Sequence, residues 1–406
     1  MKKILAVILI FLIGALVFIN FSGLDVYVDR PEGQDHTDHY DYREDIDEII
    51  EDEGPEEKNI STATLLAVGD IMLHLPQVKS AYNKETNSYD FTDVFKYVKP
   101  YISSSDISIA NLETVTYGNH IGFSGFPRFN SPVEILYALK HAGFNILNTA
   151  NNHSIDRGRD GIINTINYIN SYGMKNIGTY KEATENILIE DVNGIKIAFL
   201  SYSYGFNGLE SLLTDEELKY MVSKIDEGKI KEDIERAKAL KSDIVVVYIH
   251  WGNEYEREPS EYQVTLGRNM INWGANIVLG SHPHVIQRSE IIENAGKDNF
   301  IIYSMGNFLS NQRLESMGNK YTEDGIMVSI ELEKDLDKGE TLIKNIDYIP
   351  TWIRRYKEGN SFKYEILPIE DFLENESFYI RLNEDERLRI AESFEDTMEM
   401  MLTKKK

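Results

Sequence analysis

Five short apolar runs in this chain each stop on a side chain able to bind a metal or carry a proton. "ATLLAVGD" ends on Asp70, and "ISIANLET" ends at Asn111 to Glu113. "ILNTANNHSIDRG" passes from an apolar run into Asn151, Asn152 and His153. "DIVVVYIHWG" delivers His250, and "ANIVLGSHPH" delivers His282 and His284. A buried carboxylate or imidazole needs a partner. Open α/β sheets place ligands at the carboxyl ends of their strands. Asp70, Glu113, Asn152, His153, His250, His282 and His284, seven such side chains on five strand ends, are a poor fit to independent accidents of a core.

Helical patterns separate the runs. Ser131-Pro132 reads as an N-cap and first helical residue, with Gly143 closing that helix. "RDGIINTINYINSYG" and "EYQVTLGRNMINWG" are further helices closed by Gly. "ILIEDVNGIKIAFLSYS" reads as a hairpin turning at Asn193-Gly194. Strand–helix alternation predicts an α/β fold, and the hairpins make its sheets mixed.

Taken singly, most of these residues have an ordinary reading. Asp70 is also a turn residue or helix cap, and Glu113 a surface acid. The two Asn residues also terminate a strand, since Asn tolerates left-handed backbone. His250 is also a satisfied core histidine. His282 and His284 flank Pro283, so both rings can face one side of an extended segment. Asp156 reads as the cap of the helix that follows it.

The termini differ in character. Lys2 and Lys3 precede "ILAVILIFLIGALVFINF", 18 residues without a charge, about the length of a bilayer core. No Ala-x-Ala follows, and the chain has no cysteine, so a cleaved signal and a lipoprotein anchor are both disfavoured. The expectation is an uncleaved anchor over residues 1–22, with the lysines inside and the rest outside the cell. Residues 22–60 hold 15 Asp and Glu against three basic residues, a net of −12. Such a block repels itself and reads as a stalk over 23–60. A domain over 61–330 and a C-terminal extension over 331–406 packing on it complete the division. The net charge of −25 argues against nucleic acid, whose phosphates are bound by basic patches.

The order Asp, bridging acid, Asn-His, lone His and His-x-His resembles the calcineurin-like metallophosphoesterase superfamily. The stretches "VGDIML", "ANLET", "AGFNILNTANNHSIDRGRDGI", "HWGNEYEREPSEYQ", "GANIVLGSHPHVIQ" and "YSMGNF" resemble the family of poly-γ-glutamate capsule synthesis proteins, CapA and PgsA. The resemblance covers roughly Thr62 to Phe308. It implies a four-layer α/β/β/α sandwich with mixed sheets, here preceded by a transmembrane helix. It implies one or two divalent ions, for which this ligand mixture favours Mn, Fe or Zn. Glu113 would bridge them, with Asp70 and His284 on the first ion and Asn152, His250 and His282 on the second. His153 would be free to protonate a leaving oxygen, and Asn151 would brace the loop. Met72 stands where the superfamily has a His, and His74, two residues on, is the candidate substitute. Arg128 and Glu254 are weaker candidates for substrate contacts.

Two functions follow from the resemblance. One is an anchored extracytoplasmic protein of poly-γ-glutamate synthesis, export or retention, working in a membrane complex. A −25 chain repels a polyanion, so ions, a local basic groove or partners must offset that. The other is a metal-dependent phosphatase or phosphodiesterase acting on a cell-envelope phosphate ester. A scaffold in which metal only stabilises loops is a third reading.

Overall fold

The computed structural model describes residues 59–183 and 187–402. The expected anchor and nearly all of the acidic stalk lie outside them. Among the described residues, no helix is long and apolar enough to cross a membrane.

The main strands are β1 (Ile60–Ile71), β2 (Ile107–Leu112), β3 (Ile146–Asn148), β4 (Lys175–Ile177), β5 (Leu188–Val192), β6 (Ile195–Ser203) and β7 (Ile244–His250). They continue as β8 (Ile277–Ser281), β9 (Ile286–Asn294), β10 (Lys297–Met305), β11 (Asn307–Leu309), β12 (Asp324–Asp335), β13 (Glu340–Glu358) and β14 (Ser361–Pro368). The first sheet has the order β14-β13-β12-β1-β2-β3-β4, with β11 also on β1. The second has the order β9-β10-β8-β7-β6-β5. β1, β2, β3 and β4 run parallel, as do β6, β7, β8 and β10. Antiparallel neighbours flank both groups, so the sheets are mixed.

Side-chain alternation divides the core. In β1, Ala63, Leu65 and Ala67 join one cluster with Ile244, Val246 and Tyr248 of β7. That cluster fills the space between the sheets. Leu66 and Val68 point the other way and pack with Leu136 and Leu139 of helix α1 (Glu134–Ala142) and Ile169 of α2 (Gly158–Ser171). Val245, Val247 and Ile249 pack with Ile234 of α3 (Glu227–Ala239) and Met270 of α4 (Glu261–Trp273). The order is helix, sheet, sheet, helix. Both faces of the central strands are covered, which is why they read as unbroken apolar runs.

Local signals explain most boundaries. Ser260 accepts from the Gln263 N–H and Gly274 closes α4 with φ of 114°, a capped helix at both ends. Asn193 and Gly194 have φ of 54° and 81°, the backbone a two-residue hairpin requires. One cap reading is corrected. α1 begins at Glu134 rather than Pro132. The Ser131 hydroxyl pairs with Thr114 Oγ at 2.6 Å and its N–H donates to the Val115 carbonyl. These tertiary bonds hold Ser131 in the loop beyond β2.

β12 runs through residue 330, and β13 and β14 extend the first sheet. A last helix, α5 (Glu384–Leu402), is tied down by ion pairs, including Arg354 bridging both oxygens of Glu386 at 2.8 and 2.9 Å.

Candidate metal centre

The parallel strands of both sheets end on the same side, and the polar strand ends meet there. Asp70 is paired in register with Asn111 on β2 and with Asn307 on β11. β1 changes register between Val68 and Asp70 because Gly69 passes the Gly306 carbonyl. The Asp70 N–H donates to that carbonyl at 3.0 Å.

Three groups of donor atoms each lie within 4.8 Å of one another: Asp70, Glu113 and His284; Glu113, His250 and His282; and Glu254, His282 and His284. The first two share Glu113. All of their members are buried, whereas Glu254 stands exposed at the rim. His284 Nδ1 lies 3.2 Å from Asp70 Oδ2. His250 Nε2 lies 3.5 Å from Glu113 Oε1 and 3.0 Å from Asn152 Oδ1. His250 Nδ1 sits 3.0 Å from Ser281 Oγ, which turns Nε2 toward the cluster. Six expected ligands therefore converge: Asp70, Glu113, Asn152, His250, His282 and His284.

The donors are under-partnered. Both Glu113 carboxylate oxygens are buried without a hydrogen bond, and so is His282 Nδ1. Burial, then the neighbouring Asp70 carboxylate, then Glu254, push the Glu113 carboxyl well above its usual range. Burial and the adjacent imidazoles hold His250 and His282 well below theirs. Neutral imidazoles beside a buried carboxyl with two unbonded oxygens are donors of the kind a divalent cation could draw together.

His282 and His284 do not lie on an extended segment. Their φ values are 100° and 57°, a strained state for non-glycine residues that costs about 1–3 kcal/mol each. Asp70 Oδ2 accepts from the His282 N–H at 3.2 Å, and the Pro283 carbonyl accepts from the Tyr255 N–H at 2.7 Å. These contacts hold the kink, and the two rings still sit 5.8 Å apart.

The Asp156 cap reading is corrected as well. It does not cap α2, whose N-cap is Arg157 with no side-chain bond. Its Oδ2 accepts from the Phe129 N–H at 2.6 Å and lies 2.9 Å from His153 Nδ1. A tertiary donor and an imidazole outcompete the helix terminus. His153 packs edge-on against Phe129, and its Nδ1 contact to Asp156 leaves Nε2 as the ring nitrogen for other partners. Arg128 is exposed, and its Nε and Nη2 both donate to the Asp156 carbonyl. It steadies the loop carrying His153.

Met72 is core, 2% exposed, and its N–H donates to the Leu309 carbonyl. His74 belongs to none of the three donor groups. It begins the short helix Leu75–Ala81, and its Nδ1 accepts from the Asn311 N–H at 3.3 Å. Burial lowers its pKa to about 4, opposed by its Gln77 contact and reinforced by His284 and His153. A folded pKa below the unfolded value near 6.5 means the unfolded chain binds the extra proton. Stability tied to His74 is therefore whole above pH 6.5 and lost as pH falls toward 4. His74→Gln should remove up to about 3 kcal/mol of that acid sensitivity. Urea midpoints of metal-free protein at pH 7 and 4.5 measure it, and an identical pH slope in the variant would contradict the assignment.

Sequence reasoning expected Asn151 as a brace but missed the other amides behind the ligands. Asn111 Nδ2 donates to Asp70 Oδ1 at 2.7 Å, and Asn111 Oδ1 accepts from Asn148 and Asn151 at 2.8 and 3.2 Å. Asn151 also donates to the Leu112 carbonyl, bracing its loop. Asn307 Oδ1 lies 3.2 Å from His284 Nδ1. The available signal was an amide directly after an apolar run in "ANLET" and "MGNF".

The chain matches the family model described as "Bacterial capsule synthesis protein PGA_cap" over residues 64–312. The capsule biosynthesis protein CapA of Bacillus anthracis is 31% identical over 332 residues, spanning 79% of this chain and 73% of that protein. The PGA biosynthesis protein CapA of Bacillus subtilis (strain 168) is 32% identical over 298 residues, spanning 70% and 72%. Among solved structures, the calcineurin-like phosphoesterase YfkN from Bacillus subtilis superposes with a TM-score of 0.39 at 14% identity, covering 84% of this chain and 98% of that one. By the family model and by its identity to these two Bacillus proteins, the chain belongs to the bacterial capsule synthesis protein PGA_cap family.

Proposed function

We propose that this chain takes part in making, exporting or retaining poly-γ-glutamate capsule polymer, through a divalent metal centre at its strand ends. Family membership and the names of its two relatives support the capsule role. One observation carries the metal centre: Glu113 is fully buried, both its oxygens are unpartnered, and it belongs to two donor groups at once.

Asp70, Glu113 and His284 would hold one ion. Glu113, His250 and His282, with Asn152 Oδ1, would hold the other. Imidazole mixed with carboxylate suits Mn, Fe or Zn. Bound there, such ions supply Lewis-acid polarisation and an activated water. The chain's own part is positional and protonic. Asp156 fixes the His153 ring through Nδ1, so Nε2 can carry a proton to a leaving oxygen. Arg128 fixes Asp156 in turn. With Met72 in the core, Asp70, Glu113 and His284 are the three side chains that would hold the first ion.

The His153–Asp156 pair also favours a second reading, hydrolysis of a cell-envelope phosphate ester. A purely structural metal site has no use for a poised proton donor beside it. The apolar run Ile4–Phe21 would anchor the chain with its large domain outside, where partners of a polymer-making membrane complex would meet it.

The experiment is complementation. In a poly-γ-glutamate-producing strain lacking its own family member, the wild-type gene should restore extracellular polymer and Glu113→Ala should not. Full restoration by Glu113→Ala would remove the metal centre from the function. Protease added to intact, wall-stripped cells should digest the large domain, and protection would contradict the outward placement.

A further inference from the structure

The loop after β7 carries one donor that the six-ligand set leaves aside. The Trp251 N–H donates to the Ser281 carbonyl at 3.0 Å, and the Tyr255 N–H to the Pro283 carbonyl at 2.7 Å. Between these two ties the chain turns at Gly252, whose φ is 92°, and a Cβ there would meet the Gln263 side chain at 2.6 Å. Tyr255 is held further. Its hydroxyl accepts from the Gln312 side-chain amide at 3.2 Å, and its ring centre lies 6.1 Å from that of His284. Glu254 therefore rides on a loop stitched to residues 281–283, the segment that presents His282 and His284.

Glu254, His282 and His284 each offer a donor atom within 4.8 Å of the other two. His284 also groups with Asp70 and Glu113, and His282 also groups with Glu113 and His250. Glu113 is common to both buried groups. Glu254 reaches one imidazole of each from the exposed rim. A second observation is independent of that grouping: His282 Nδ1 is buried without a hydrogen-bond partner, on a side chain only 3% exposed. Met72, where the resemblance places one more ligand, is core and offers no hard donor. A carboxylate oxygen suits Mn and is an ordinary ligand of Zn.

We propose that Glu254 is a seventh ligand of the metal centre, closing it from the solvent side beside His282 and His284. The proposal rests on the metal-centre reading above. The competing role is a solvated rim charge that attracts cations through space. Magnitude and position separate the two. Exposed charges attract one another by at most about fivefold in affinity, and any exposed acid on the same loop would serve. A ligand acts at one position and by more.

The test uses the full-length chain, stripped by a chelator and titrated calorimetrically with Mn²⁺ alone and, separately, with Zn²⁺ alone. Glu254→Ala should weaken binding at least about 10–100-fold, the loss seen when a group that merely orients a ligand is removed. The melting point of the metal-free chain should not move, because the side chain is exposed. Glu256→Ala is the control, since it removes the same charge from an exposed position on the same loop, and it should change affinity by less than about fivefold. A loss below about tenfold for Glu254→Ala, or an equal loss in Glu256→Ala, would leave Glu254 a rim charge and overturn the proposal. A wild-type chain that binds neither ion would overturn the metal-centre reading itself, a result separate from either of these.

Discussion

His282→Ala should leave the chain unable to hold the metal ion on the His250 side and should lower its melting point in metal-containing buffer. His282 offers a buried nitrogen with no protein partner and belongs to two of the three donor groups. A ligand that binds only the folded state stabilises it by about 4 kcal/mol at a thousand times its Kd, and the variant forfeits that gain. His153→Ala is the contrast. Its imidazole is engaged by Asp156 through Nδ1 and lies in none of the donor groups, so metal content should stay near the wild-type value. Positioned acid catalysis typically contributes about 10²–10⁴-fold, and any phosphodiesterase rate should fall by about that much. Elemental analysis beside thermal melting reads both variants. If His153→Ala loses metal as fully as His282→Ala, His153 is a ligand and its assigned role fails.

Gly69→Ala should be damaging on a similar scale, through packing alone. A Cβ there would meet the Gly306 carbonyl oxygen at 2.0 Å and two further backbone carbons at 3.0 and 3.1 Å. Overpacking a core typically costs 1–3 kcal/mol when side chains can adjust, and backbone in a paired strand adjusts least. The loss should exceed about 3 kcal/mol, with the β1–β11 pairing opened and Asp70 displaced from Asn111 and His284. Gly205→Ala is the control, since a Cβ there meets nothing within 4 Å, and it should stay within about 0.5 kcal/mol. Urea unfolding compares them, and equal midpoints would show that the close approach at Gly69 is not what the fold requires.

The convergence of ligands was legible because metal-binding side chains at the ends of apolar runs are out of place in a core. Strand positions were legible for a related reason, since runs buried on both faces tolerate few polar residues. What the residues alone could not show was partnership. Asp156 precedes a helical pattern and reads as its cap, yet the Phe129 N–H and His153 claim it from elsewhere in the fold. Ser131 was misread for the same reason. Asn111 looks like any strand terminator until sheet register sets it beside Asp70. The left-handed backbone at His282 and His284 carries no signal, because neither residue is a glycine and the contacts that hold them come from Asp70 and Tyr255.

Two donor groups sharing one buried carboxylate make the most exposed claim. Metal content of the full-length chain, measured by elemental analysis after loading and desalting, tests it directly in wild type and Glu113→Gln. The substitution keeps shape and burial while removing the charge both ions would share. The expected result is one or two equivalents of Mn, Fe or Zn per wild-type chain and a fall to background in the variant. A wild-type chain without metal, or a variant that keeps its full complement, would contradict the proposed metal centre.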